Sequence, residues 1–169
     1  MKKIFLLLSL FLTFQLNAQI FPGVIESQTV PAAAPGGEII TNGSLSSATA
    51  WTVSGGVTIG SGVVTFDDVT TGHLEQTEAN LVTPILINTA YTLTFDVAGT
   101  SGGGLYLLIS SYDSGDGAVT YKAIAEYNDG SKVVNFTTPA VINDGGFRIY
   151  FSNAGDSGGT IDNISLTAD

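Results

Sequence analysis

Apolar and polar positions alternate along this chain in short runs broken by turn residues. In residues 91–98, Tyr91, Leu93, Phe95 and Val97 fall on one side, and Thr92, Thr94 and Asp96 on the other. A period of two is that of a strand with one face in a core. Residues 147–152 repeat it, with Phe147, Ile149 and Phe151 opposite Arg148, Tyr150 and Ser152. Residues 105–112 are apolar on both sides for four residues, which predicts a middle strand covered on both faces. Val134, Phe136 and Thr138 carry the inward pattern onward. Further short runs lie at 38–41, 51–53, 57–59, 63–66, 73–77, 119–126, 132–137 and 160–166, and no window sustains a helical period. Many short strands with Gly, Asp and Asn between them predict an all-β sandwich or barrel.

The last two runs, 147–152 and 160–166, are joined by the Gly- and Asn-rich stretch 153–159 and read as a closing hairpin. In the second, strict alternation places Asp162 on the same side as Ile164 and Leu166. A carboxylate among aliphatics calls for a partner or a metal.

The N-terminus follows another pattern. Met1-Lys2-Lys3 is a basic start, residues 4–12 are almost wholly apolar, and Leu16-Asn17-Ala18 precedes Gln19. This predicts an export signal over 1–18, cut after Ala18. The apolar run is well short of the roughly 20 residues that span a bilayer. Residues 19–37 hold Pro22, Pro31, Pro35 and Gly36-Gly37 without a period, and read as an extended leader before a domain over 38–169.

Charge narrows the partners. Cutting the signal removes Lys2 and Lys3 and takes the net charge from −10 to −12, leaving Lys122, Lys132 and Arg148 against fifteen carboxylates. Nucleic acid and anionic membrane surfaces need more cations than that. Neutral ligands, divalent cations and plain solubility are all compatible with it. With no Cys, an exported chain must draw its stability from core burial or a metal rather than from disulfides.

The order of motifs is more specific than any one of them. Asn42-Gly43-Ser44-Leu45 precedes Trp51-Thr52; Leu74-Glu75-Gln76 precedes Tyr91-Thr-Leu-Thr-Phe95; then come Asn135-Phe136-Thr137-Thr138, Phe147-Arg-Ile-Tyr-Phe151 and Ile161-Asp162-Asn163-Ile164-Ser165-Leu166. Over residues 40–168 this order resembles the jelly-roll carbohydrate-binding modules of the family 4, 9 and 22 type. The resemblance implies a two-sheet antiparallel β-sandwich of galactose-binding-like shape and an extracellular glycan-binding role without catalysis. It also implies a structural calcium ion between the opening segment and the last strand. For that ion the chain offers Asp162, with Asp68 or Asp67 in the second loop, while Ser46 stands where the family has Glu. Calcium takes about 6–8 oxygen ligands.

A sugar is held by flat apolar faces and by planar polar groups that reach neighbouring hydroxyls. The outward positions supply Glu75, Asp96, Tyr106, Tyr112, Arg148 and Tyr150 as ligand-binding candidates, with Leu108 among them. The plainer reading is a cross-strand ion pair of Arg148 with Asp96 or Glu75, and tyrosines partly in the core. Trp51 reads as core. The acidic loops 113–117 and 153–159 lack an EF-hand's ligand spacing and read as turns.

Nothing in the sequence predicts an enzyme. Gly99-Thr-Ser101-Gly-Gly103 has the form of a nucleophile elbow but lies between two strands, and His73 is the only His. Pairs such as Glu75 and Glu78 are expected by chance among fifteen acids. The alternative role is a structural or adhesive subunit, self-associating through a leader that adds a strand to a neighbour.

Overall fold

The computed structural model describes residues 36–113, 117–142, 146–154 and 156–169, with the side chains of 112–126 outside that description. The expected signal and most of the leader therefore lie outside the described residues. The strands are β1 (Thr52–Ser54), β2 (Val57–Gly60), β3 (Val63–Phe66), β4 (His73–Thr77), β5 (Ala90–Ala98), β6 (Leu105–Asp113), β7 (Gly117–Tyr127), β8 (Gly130–Thr137), β9 (Phe147–Asn153) and β10 (Gly159–Ala168). They form two five-stranded sheets: a front sheet in the order β1-β4-β9-β6-β7 and a back sheet in the order β2-β3-β10-β5-β8. Every pairing within them is antiparallel. The all-β sandwich expected from the alternation is the fold observed.

The period-two apolar sets meet between the sheets. Leu93, Phe95 and Val97 of β5 and Val134 and Phe136 of β8 face Leu107 and Ile109 of β6 and Phe147, Ile149 and Phe151 of β9, all buried. Phe95 stands edge-on to Phe151 and to Tyr127, each at 5.0 Å between ring centres, and so ties both sheets at mid-core. Tyr91, Phe136 and Phe147 continue the aromatic contacts. Edge-to-face rings of this kind contribute about 0.5–1.5 kcal/mol per pair beyond the area they bury.

Two expectations for the C-terminal strands need correction. The last two runs do not form a hairpin, because β9 lies in the front sheet and β10 in the back sheet. Their apolar faces meet across the core instead of their backbones pairing. Strict alternation also fails within β10. The register against β5 shifts between Asp162 and Ser165, and Asn163 takes a positive φ of 52°. Such a bulge adds a residue and re-aims the side chains that follow. Ile161, Ile164 and Leu166 are all buried, while Asp162 is half-exposed and Asn163 exposed. Asp162 is therefore not on the side of Ile164 and Leu166.

The opening segment is stitched to this bulge. Ile164 N–H donates to Gly43 O at 3.0 Å. A Cβ on Gly43 would sit 1.8 Å from Ile164 O, so only glycine fits there. Only a single bridge, Glu38 to Thr167, remains of the strand expected at 38–41. Gln76, fully buried on β4, holds both backbone groups of Thr41 with its amide.

Candidate functional site

The outward residues of the front sheet line up in register. Across β1, β4, β9 and β6 one row is Ser54, His73, Ser152 and Tyr106, and the next is Thr52, Glu75, Tyr150 and Leu108. A third is Thr77, Arg148 and Ser110. With strands about 4.8 Å apart, four of them make a surface about 14 Å wide. His73, Glu75, Tyr106, Leu108, Arg148 and Tyr150 are all half-buried.

Specific contacts hold this surface. The His73 ring stacks on Tyr150 at 4.9 Å between ring centres, and the Arg148 guanidinium lies over the same ring, 5.6 Å from its centre. Arg148 Nη1 is 3.5 Å from Glu75 Oε1, a diagonal cross-strand pair. Arg148 Nε donates to Ser110 Oγ at 3.0 Å, and Ser110 is wholly covered beneath it. At the edge the Ser54 hydroxyl and His73 Nδ1 share a hydrogen bond of 2.6 Å. Burial raises the Tyr150 phenol above its ordinary value, the Glu75 charge adds to this, and Arg148 opposes it. Tyr150 is therefore a neutral platform through physiological pH.

Four of the candidates from the sequence, Glu75, Tyr106, Arg148 and Tyr150, share this face. Arg148 has the ion pair expected of it, with Glu75. Asp96 does not belong here: β5 is in the back sheet, and Asp96 faces solvent on the opposite side of the molecule. There it accepts hydrogen bonds from the Ser131 hydroxyl and from Asn163 Nδ2, which together hold its carboxyl below the ordinary value. The side chain of Tyr112 lies outside the described residues. His73 and Ser54 went unrecognised in the sequence. The available signal was parity, since His73 and Glu75 share one side of the same run.

The back of the molecule offers a different feature. A cleft of about 240 Å³ opens where the β3–β4, β5–β6 and β9–β10 loops meet, lined by Asp67, Asp68, Ser101, Gly158 and Thr160 among others. Buried Asn153 binds these loops together, donating to Asp67 O and Ser157 O and accepting from Gly72 N. Ser101 Oγ accepts from Gly158 N at 3.1 Å, and His73 is engaged with Ser54, so the sequence's serine elbow has no histidine beside it.

The residues present do not fit the calcium ion that the resemblance implies. Asp162 lies three residues up β10 from Gly159, roughly 10 Å. Asp68 is packed against Gly158 beyond the other end, so the two carboxylates do not converge. Asp162 Oδ1 accepts from Asn163 N, and Ser46, in place of the family's Glu, is hydrogen-bonded to Asn42 Oδ1. Glu38 reaches the last strand, but its Oε1 accepts from the Ile39, Ile40 and Leu166 amides and its Oε2 from Ser165. Three N–H donors leave that oxygen no lone pair for a metal. Among the described residues no group of three or more His, Cys, Asp or Glu is placed to hold one.

No family model and no curated protein matches the sequence. Solved structures do. A family 4 carbohydrate-binding module (CBM4) superposes with a TM-score of 0.55 at 14% identity, covering 77% of this chain and 99% of its own. Family 16 Carbohydrate Binding Module-2 gives a TM-score of 0.53 at 19% identity, with 76% and 98% covered. The CBM22-1 xylan-binding domain from Paenibacillus barcinonensis gives a TM-score of 0.53 at 13% identity, with 80% and 97% covered. This chain has the jelly roll of carbohydrate-binding modules. At such identities the likeness is one of fold, and what the jelly roll presents on its front face must be read from this chain's own residues.

Proposed function

We propose that this protein is an exported, non-catalytic module that holds a polysaccharide chain against the outer face of β1, β4, β9 and β6. The observation that carries this is the half-buried Tyr150 ring, stacked on His73 and flanked by the Glu75–Arg148 pair. An apolar ring suits the C–H face of a sugar, and the carboxylate and guanidinium beside it suit its hydroxyls. With Arg148 already paired to Glu75 and a chain at net −10, a neutral glycan fits better than an acidic one. Export rests on the signal pattern of residues 1–18; no helix of the described residues is long and apolar enough to cross a membrane. The non-catalytic reading is supported by the engagements of the reactive groups, with His73 on Ser54, Glu75 on Arg148 and Glu78 accepting from Phe147 N.

Affinity electrophoresis of residues 19–169 in gels containing xylan, cellulose derivatives or mixed-linkage glucan tests this. Retardation by at least one neutral polymer is expected, with affinity reduced about tenfold or more in Tyr150→Ala, on the order of 1.4 kcal/mol. Release of reducing sugar would replace the reading with a glycanase. Failure of every polymer to retard the protein, together with oligomers lost on deleting residues 19–37, would replace it with a structural subunit.

A further inference from the structure

His73 sits where the proposed ligand would lie, yet neither the sequence nor the fold assigns it a part. Its ring has two nitrogens in different surroundings. Nδ1 is held by the Ser54 hydroxyl at 2.6 Å. Nε2 has no protein partner among the described residues, and the only buried side-chain polar atom without a partner there is the Tyr127 hydroxyl. Nε2 is therefore open to solvent. The ring plane is fixed by its stack on Tyr150, at 4.9 Å and an interplanar angle of 28°. A side chain with one nitrogen pinned, its plane set and its second nitrogen open is a preorganised hydrogen-bonding group.

We propose that His73 is a ligand-contacting residue of the front face, its Nε2 bonding a sugar hydroxyl beside the Tyr150 ring, with Ser54 as the positioning residue that sets the imidazole. This rests on the glycan-binding reading above and adds the group that orients the sugar on its platform. The direction of the Ser54 bond decides which nitrogen carries the proton. If the hydroxyl donates to Nδ1, Nε2 carries the hydrogen and donates; if Nδ1–H donates to Ser54, Nε2 accepts. A sugar hydroxyl answers in either sense because it both donates and accepts. The groups around the ring also favour a hydroxyl over an anion. Ser54 on β1, Ser152 and Tyr150 on β9 and Tyr106 on β6 are uncharged, Glu75 follows on its own strand, and Arg148 is drawn to Glu75.

The test is titration calorimetry with xylohexaose and cellohexaose, paired with 15N spectra of the imidazole. Adding the oligosaccharide that binds is expected to move the His73 Nε2 resonance, and a merely structural histidine would leave it in place. His73→Ala is expected to weaken binding about tenfold. Ser54→Ala is expected to weaken it severalfold while keeping the fold, because it frees the ring without removing it. If the wild type binds and Tyr150→Ala does not, while His73→Ala binds as the wild type and the Nε2 shift stays fixed, this inference falls and the glycan-binding reading stands. If the wild type binds neither probe nor any polymer in the gels, both fall. Should His73→Ala fail to fold, Ser54→Ala and the Nε2 shift decide the matter.

Discussion

The outer faces of the two sheets grow from the same alternation and differ in almost everything else. On the back sheet, Thr92, Thr94, Asp96, Ser131, Asn135 and Thr160 form a polar field around the exposed Val133, held by hydrogen bonds of Thr92 to Asn135 and Asp169, Ser131 to Asp96, and Thr160 to Ala98 O. The front sheet instead gathers His73, Tyr106, Leu108, Arg148 and Tyr150, with the imidazole and the guanidinium layered on the Tyr150 ring. A solvated face asks only for residues that tolerate water. Aromatic and aliphatic bulk on a face turned from the core loses burial free energy at about 25 cal/mol per Å² left wet. The aromatic part of that bulk is confined to the front face: His73, Tyr106 and Tyr150 have no aromatic counterpart among the described outward residues of the back sheet, whose exposed aliphatic is Val133.

If the comparison is sound, the polar groups of the two faces also differ in what their loss does to stability. Arg148→Ala removes the guanidinium that covers Ser110 and pairs with Glu75. A hydrogen bond to a charged group contributes about 1.5–3 kcal/mol. A loss of about 2 kcal/mol in urea unfolding is expected. Asp96→Ala, in the exposed network of the back face, is expected to change stability by no more than about 0.5 kcal/mol. Equal losses at the two sites would mean that the faces are not so different after all.

Asn163 tests the bulge that turns Asp162 outward. It holds a positive φ of 52° and donates to Asp96 at 2.8 Å. Asn163→Ala keeps the left-handed backbone without the side-chain bond and is expected to lose about 1 kcal/mol. Asn163→Gly relieves the backbone and should stay within about 0.5 kcal/mol of the wild type. If both variants lose the same amount, the side-chain bond rather than the backbone holds the bulge.

These positions also show how far the alternation could be read. It identified which side of β5, β8 and β9 faces the core, because parity is local; on β6, read as covered on both faces, Tyr106 and Leu108 are only half-buried. It could not say which sheet a strand joins, and so Asp96 was grouped with Arg148 and β9 was paired with β10. Sheet membership depends on which way a loop crosses the core, and residues 154–158 carry no mark of it. The bulge did leave a trace: strict parity put Asp162 beside Ile164 and Leu166, a conflict that one added residue resolves. Parity with Glu75 places His73 on the outward side, but its part comes from Ser54 and Tyr150, brought beside it by other strands.

Between the faces, Tyr127 is an anomaly of the core. Among the described residues its hydroxyl is buried without a partner, and burial pushes the phenol up to about 12. Tyr127→Phe removes a polar atom that gains nothing in the fold and is expected to stabilise the protein by about 1 kcal/mol at neutral pH. The folded-state value lies above the ordinary 10.0. The neutral phenol's contribution is therefore complete below about pH 10 and is lost as pH rises toward about 12, where the unfolded chain ionises and the folded one cannot. Tyr91 and Tyr150 are shifted the same way. The variant's alkaline decline should accordingly be shallower than the wild type's, but not absent. A steeper decline, or a loss of stability at neutral pH, would mean that the hydroxyl has a partner after all.

The smallest expected effect is also the one that could overturn the comparison. Calcium held at Asp162 and the opening segment would give the back of the molecule a task of its own. A site whose Kd lies a hundredfold below the calcium added contributes about 2.7 kcal/mol. For a domain of this size that is a Tm shift of several degrees. The Glu38 carboxylate already makes the link between the opening segment and β10 that such an ion would make, bonding the Leu166 amide and the Ser165 hydroxyl. Thermal unfolding in millimolar calcium and in EDTA is therefore expected to agree within about 1 °C. Glu38→Gln, which weakens these bonds, should lower both curves equally. A Tm that falls several degrees in EDTA would show that the metal, and not Glu38, fastens the sandwich.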